Sequence, residues 1–226
     1  KSNGIETTGF SNVIPGGDPG SRFFLDSLRQ LADRGNDNIN DIFHCQNDIH
    51  CSSFLIREVR GIKLGCLGYN AVGQRVNRET VKQQVETADK LADILIISIH
   101  WGKEYTRSPQ PDLSLAPDDP KEIGHLLIDW GADIVAGNHP HWYQSMEYYL
   151  SKLIIYALGN TVFDQEWSLE TKRGILLKLF FEGKTLLKDK MEIIPIGIKD
   201  YGQAYLLEGA EKEAAVKFFK QNSKNL

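Results

Sequence analysis

The chain is short of cysteine, of long apolar runs and of any surplus of positive charge, and each shortage removes a class of protein. Three cysteines in 226 residues, Cys45, Cys51 and Cys66, cannot all pair with one another and are too few for a disulfide-built scaffold. At most a local Cys45–Cys51 bridge is conceivable. No stretch approaches the ~18–20 apolar residues of a membrane-spanning helix, since residues 153–158 form a short run and residues 175–181 are broken by Lys178. The 26 Lys and Arg are interleaved with 30 Asp and Glu, for a net charge of -4, so neither a basic nucleic-acid footprint nor a polybasic membrane tether is present. Nucleic acid is not an expected partner. Internal repeats and low-complexity tracts are also missing. What the chain does have is 41% hydrophobic residues, enough for a sizeable core. At roughly 150 residues per domain, its length suits one large domain better than two.

Residues 1–22 carry Gly4, Gly9, Pro15, Gly16, Gly17, Pro19 and Gly20, a density of breakers that predicts an irregular segment ahead of a single domain over 23–226. A chain opening on Lys1 is compatible with a signal or anchor segment upstream. Residues 23–31 have helical spacing, and residues 54–59 and 62–69, separated by Arg60-Gly61, read as a β-hairpin. Val81, Val85, Ala88 and Leu91 recur three or four apart, which predicts an amphipathic helix over 78–91. Residues 93–99 then form a nearly unbroken apolar run, as in a strand buried on both faces. A second helix over 120–130, stopped by Gly131, and a second buried strand over 133–136 complete a parallel unit. Residues 142–150 with 153–158 suggest another hairpin, residues 173–182 with 186–198 two long strands, and residues 210–221 a final helix. The fold class is α/β.

Open α/β sheets bind ligands beyond the carboxyl ends of their strands. Asn70, His100, the pair His139 and His141, and Asn160 each follow one of the expected strands. Pro140 biases His139 towards an extended backbone, and in an extended chain residues i and i+2 project to one side. His139 and His141 are therefore expected to present two imidazoles to one site, a metal-ligand arrangement that His100 would join from the neighbouring strand. A second cluster, His44-Cys45 with His50-Cys51, lacks the paired spacing of a structural zinc site and reads better as surface or a local disulfide. Trp101, Trp130, Trp142, Tyr148, Tyr149 and Trp167 could line a polymer groove, although aromatics more often pack cores. Arg57, Arg60, Arg75, Arg78 and Arg107 could meet a polyanion but read first as scattered solvated charge.

The segments SIHWGKEY (98–105), LIDWGADIVAGNHPH (127–141) and IYALGNTVFDQ (155–165), with IREVRGIKLGCLGYN (56–70) before them, resemble the bacterial capsule-synthesis family of CapA type, active in poly-γ-glutamate biosynthesis. That family looks like a branch of the calcineurin-like metallophosphoesterases, and the resemblance runs from about residue 23 to 181. It implies a layered α/β sandwich of two sheets flanked by helices and a metal-dependent hydrolase site. The implied ligands of one or two divalent ions (Mn, Zn or Fe) are His100, His139 and His141, with Glu104 joining them in catalysis and Asn160, Trp101 and Asn70 near the substrate. It further implies a poly-γ-glutamate or phosphoester substrate, an extracytoplasmic or envelope location and capsule-synthesis partners in the membrane. Such families also supply an aspartate, a bridging aspartate and an asparagine–histidine pair from an N-terminal half. Residues 12–20 read NVIPGGDPG, without histidine. The recognisable fold thus lacks part of that half. Little or no phosphodiesterase activity even with added manganese or zinc, or a non-catalytic binding module of the same fold, is the corresponding expectation.

Overall fold

A computed structural model of the chain describes residues 42–43 and 51–223. The irregular segment 1–22, the helix expected over 23–31, and His44, Cys45 and His50, with any Cys45–Cys51 bridge, lie outside them. The described elements begin with strand β1 (Ile42–Phe43) and the hairpin β2 (Cys51–Val59) and β3 (Ile62–Asn70). Its turn is Arg60-Gly61, both at positive φ, as a tight hairpin turn requires. Helix α1 (Arg78–Asp89), strand β4 (Ile94–His100), helix α2 (Pro120–Asp129) and strand β5 (Ile134–Asn138) follow. The Asn77 side chain caps α1 on Thr80 N, Asp119 caps α2 on Lys121 N, and Pro120 occupies the first turn of α2. A second hairpin pairs β6 (Met146–Tyr149) with β7 (Lys152–Ile155).

The seven strands form one sheet in the order β1-β2-β3-β4-β5-β7-β6, parallel from β3 through β4 and β5 to β7. Leu95, Ile97 and Ile99 of β4 pack with Val81 and Val85 of α1 and Ile123 and Leu127 of α2. Ile96 and, on β5, Ile134 and Ala136 face the other side. The side-chain period of two thus puts His100 on the face away from the helices. That face is covered by a second layer built from β8 (Arg173–Lys178), β11 (Glu192–Lys199) and β12 (Gln203–Leu206), with helix α3 (Gly209–Gln221) contacting β11. Ile175 of β8 and Phe219 of α3 join its core. The layered α/β architecture with two sheets and flanking helices is as expected.

The two long strands expected over 173–182 and 186–198 are instead interrupted. The chain leaves β8 at Lys178, makes a two-stranded turn from β9 (Phe181–Glu182) and β10 (Thr185–Leu186) around Gly183, passes a 3-10 turn (Lys188–Lys190) and re-enters as β11. Gly183 at φ 59° allows the reversal, and Leu187 N donates to Phe180 O to close it. Three of the arginines read first as solvated charge have partners within the chain, and Arg75 and Arg78 remain largely exposed. Arg78 forks onto Glu122, Arg75 pairs with Asp118, and Arg107 lies over Trp142, Tyr143 and Phe218.

Cys66 on β3 is buried, and burial pushes its thiol up to about 12. Because the thiolate is the reactive form, Cys66 is expected to stay unmodified by maleimide at pH 8 in the native chain and to label fully in urea. Peptide mass mapping reads this directly. Native labelling of the Cys66 peptide would contradict the packing described.

Candidate functional site

Register brings the polar strand ends together. Asn70 of β3 lies opposite His100 of β4, and His100 opposite Asn138 of β5. Backbone bonds from Ala71 N to His100 O (2.8 Å) and from Trp101 N to Asn138 O (3.1 Å) continue the ladder past the strands. His100 is 3% exposed and His139 is 8% exposed. His100 Nε2 and His139 Nδ1 stand 3.0 Å apart, with ring centroids at 4.6 Å, and the His139 and His141 centroids are 6.2 Å apart.

The three histidines therefore come together, but the expected backbone does not carry them. His139 has φ 97° and His141 φ 60°, both left-handed. Proline favours an extended conformation in the residue before it, but here the chain bends sharply after β5, and the bend overrides that preference. Tyr105 N bonds to Pro140 O at 2.9 Å, tying the bend to the loop after β4 and bringing His139 beside His100. Left-handed backbone at non-glycine residues costs roughly 1–2 kcal/mol each. Such strain gathers at functional sites.

His141 is held on several sides. Its Nδ1 is 2.9 Å from Asn160 Oδ1, its Nε2 is 3.6 Å from Glu104 Oε1, Tyr105 stacks on it at 5.5 Å and Phe163 meets it edge-on at 5.1 Å. Burial raises the Tyr105 phenol above its usual pKa, and the Glu104 charge adds to this against a hydrogen bond from Gln165. Tyr105 thus stays a neutral phenol through the physiological range. Trp167, 60% exposed, packs edge-on against Tyr105 at 4.8 Å.

The residues expected beside the substrate are placed differently. Trp101 is 1% exposed, and its indole N–H donates to Tyr156 O at 2.9 Å, so the ring belongs to the core behind the site. Asn70 uses its amide oxygen to cap Val72 N at 2.9 Å. Asn160, 6% exposed, directs its amide at His141, Thr171 O and Gln165 rather than outward. Tyr105, Phe163, Gln165 and Thr171 were not singled out in the sequence. The first three lie inside the quoted segments, which was the available signal. Thr171 lies beyond them, and only folding brings it to Asn160.

Among the described residues, no group of three or more His, Cys, Asp or Glu side chains is arranged to hold a metal ion. The imidazole and carboxylate groups come in two close pairs, the first within hydrogen-bond distance. Two imidazole nitrogens bound to one ion at ~2.1 Å lie about 3.0–3.4 Å apart, and His100 Nε2 and His139 Nδ1 are 3.0 Å apart. Asn160 Oδ1 on Nδ1 leaves the His141 Nε2 lone pair directed towards the Glu104 carboxylate. Two acceptors facing each other at 3.6 Å can share a cation, a proton or a metal, between them. The donor set of imidazoles with one carboxylate is that of a borderline transition ion.

A family model described as bacterial capsule synthesis protein PGA_cap matches residues 45–165, more than half of the chain. The chain is 28% identical over 173 residues to a Bacillus subtilis protein named PGA biosynthesis protein CapA, covering 71% of this chain and 43% of that one. It is also 28% identical over 167 residues to the Bacillus anthracis capsule biosynthesis protein CapA, covering 66% of this chain and 38% of the relative. The chain thus spans less than half the length of these curated relatives. A solved structure described as a 5′-nucleotidase from Staphylococcus aureus aligns with 88% of this chain and 39% of its own, at 11% identity and a TM-score of 0.40. At that level the likeness carries nothing beyond itself. No helix among the described residues is long and apolar enough to cross a membrane.

Proposed function

The chain belongs to the bacterial capsule synthesis family, and from that premise we propose that it serves poly-γ-glutamate capsule biosynthesis through a metal-dependent hydrolase site at the strand ends. The observation that supports this reading is the gathering of His100, at the end of β4, with His139 and His141 on the strained bend after β5, and Glu104 3.6 Å from His141 Nε2. His100, His139 and His141 would hold a divalent Mn, Zn or Fe ion, which when bound would supply Lewis acidity towards a phosphoryl or acyl oxygen. The chain's own groups do the rest. Glu104, 37% exposed, is the site carboxylate open to solvent and takes the proton of the attacking water. The neutral Tyr105 phenol packs against the His141 ring and limits its movement. Bulk water is kept from His100 and His139 by their burial, which strengthens electrostatic interactions at the site. The substrate class is a phosphoester or the poly-γ-glutamate chain. The relatives are named for PGA and capsule biosynthesis, and the proposal extends that role to an envelope location with capsule-synthesis partners in the membrane.

A second reading has its own support. No carboxylate among the described residues bridges the histidines, and two divalent ions on neutral imidazoles lack charge compensation. A binding module that retains the pocket without turnover follows from that. The test is hydrolysis of a chromogenic phosphodiester and of short poly-γ-glutamate under metal titration, comparing the parent with His100→Ala. Low turnover that rises with metal and is lost at least tenfold in the variant is the expected result. Metal uptake with turnover at background in both proteins would replace the hydrolase with the binding module.

A further inference from the structure

The amide of Asn160 has a determined orientation, and that orientation fixes a proton. Asn160 Nδ2 lies 2.9 Å from the backbone carbonyl of Thr171. A carbonyl only accepts, so the atom facing it is the NH2 group. The other end, 2.9 Å from His141 Nδ1, is therefore the oxygen, which also only accepts. The His141 Nδ1 must then carry a hydrogen. The partner of this contact is itself held firmly. Thr171 is buried, with its hydroxyl and amide bonded to Ser168. Asn160 follows Gly159 at φ 76°, and a side chain on Gly174 would stand 2.0 Å from the Asn160 carbonyl oxygen, so the backbone there has no room to shift. Gln165 accepts from Asn160 Nδ2 at 3.3 Å and donates to the Tyr105 hydroxyl at 3.3 Å, and Tyr105 stacks on the same imidazole.

We infer that Asn160 is a positioning residue, not a substrate contact, that holds His141 in the Nδ1–H tautomer and aims the Nε2 lone pair at the cation position beside Glu104. This deepens the hydrolase reading and rests on it for its purpose. The tautomer itself is a property of the metal-free chain, so it can be tested even if no metal binds. In water, a free neutral imidazole side chain favours the opposite tautomer, with hydrogen on Nε2. The contact with Asn160 thus changes the outcome rather than confirming a default. Second-shell groups that fix a ligand imidazole in this way typically change metal affinity by about 10- to 100-fold.

The experiment is a long-range 1H–15N correlation spectrum of the metal-free 226-residue chain, with His141 assigned through His141→Gln. It is recorded at a pH where the ring 15N shifts no longer change with further base, so that the neutral ring is observed. The parent should show His141 in one form, with Nδ1 protonated and Nε2 not. Asn160→Ala should give a mixture or the Nε2–H form, and Asn160→Asp, which keeps an acceptor oxygen, should restore Nδ1–H. An Nε2–H parent, or an unchanged Nδ1–H population in a folded Asn160→Ala, would overturn the assignment. Should Asn160→Ala not fold, the parent spectrum decides, since an Nε2–H His141 there overturns the assignment by itself. A parent with the expected tautomer but no metal uptake would leave Asn160 as assigned and remove the hydrolase reading instead.

Discussion

Gly137→Ala is expected to destabilise the chain by about 3 kcal/mol or more. Gly137 sits in β5, immediately before Asn138 and the histidine bend. A Cβ there would lie 2.2 Å from Tyr156 O, 2.3 Å from Trp101 Nε1 and 2.7 Å from Trp101 Cε2. Real contacts of that kind do not exist, and neither neighbour can give way cheaply. The Tyr156 oxygen is backbone, and Trp101 is a fully buried ring whose N–H is bonded to that same oxygen. Accommodating the methyl group would break the bond and push β5 away from β4, carrying the site apart. Urea denaturation followed by tryptophan fluorescence measures the change in midpoint. A midpoint within about 0.5 kcal/mol of the parent, the range of an ordinary surface change, would show that the packing of Trp101 behind the strand is not as described.

Replacing His139 and His141 together by alanine is expected to abolish metal retention while leaving the cooperative fold in place. His139 loses its contact with His100, and His141 loses those with Asn160 and Glu104, but all of these groups lie at strand ends rather than in the apolar core. The left-handed φ values sharpen the expectation. Alanine inherits the strain at both positions, whereas glycine does not. The His139→Gly/His141→Gly chain should therefore be at least as stable as the alanine pair, with both devoid of metal. That ordering marks a loop held in an unfavourable conformation for the sake of its side chains. Glycine less stable than alanine would show that the strain is absent.

Much of the sheet is legible in the residues because buried parallel strands need continuous apolar runs, and residues 93–99 and 133–136 have them. The turn at Arg60-Gly61 and the stop at Gly131, which takes φ 123°, are likewise local requirements that only certain residues meet. The site was legible as a set of histidines following strands, since register then sets them side by side. Its conformation was not. The residue before proline prefers an extended backbone, and the bend that Tyr105 N closes onto Pro140 O overrides that preference. The role of Asn160 depends on Thr171, eleven positions further on, and on Gly174, neither of which any local pattern connects to it. Trp101, adjacent to His100, faces the opposite side of the sheet by the period of two. The break between β8 and β11 needed the turn at Gly183, which reads in sequence as one weak interruption of a strand.

The central claim is that the strand-end histidines form a metal site, and metal retention tests it most directly. The parent chain and the His139→Ala/His141→Ala chain are each incubated with excess manganese, zinc or iron(II), passed through gel filtration and analysed for bound metal. The account predicts about one equivalent or more retained by the parent and none by the variant, with both eluting as the same folded species. A parent that emerges without metal, or a variant that retains as much as the parent, would contradict it.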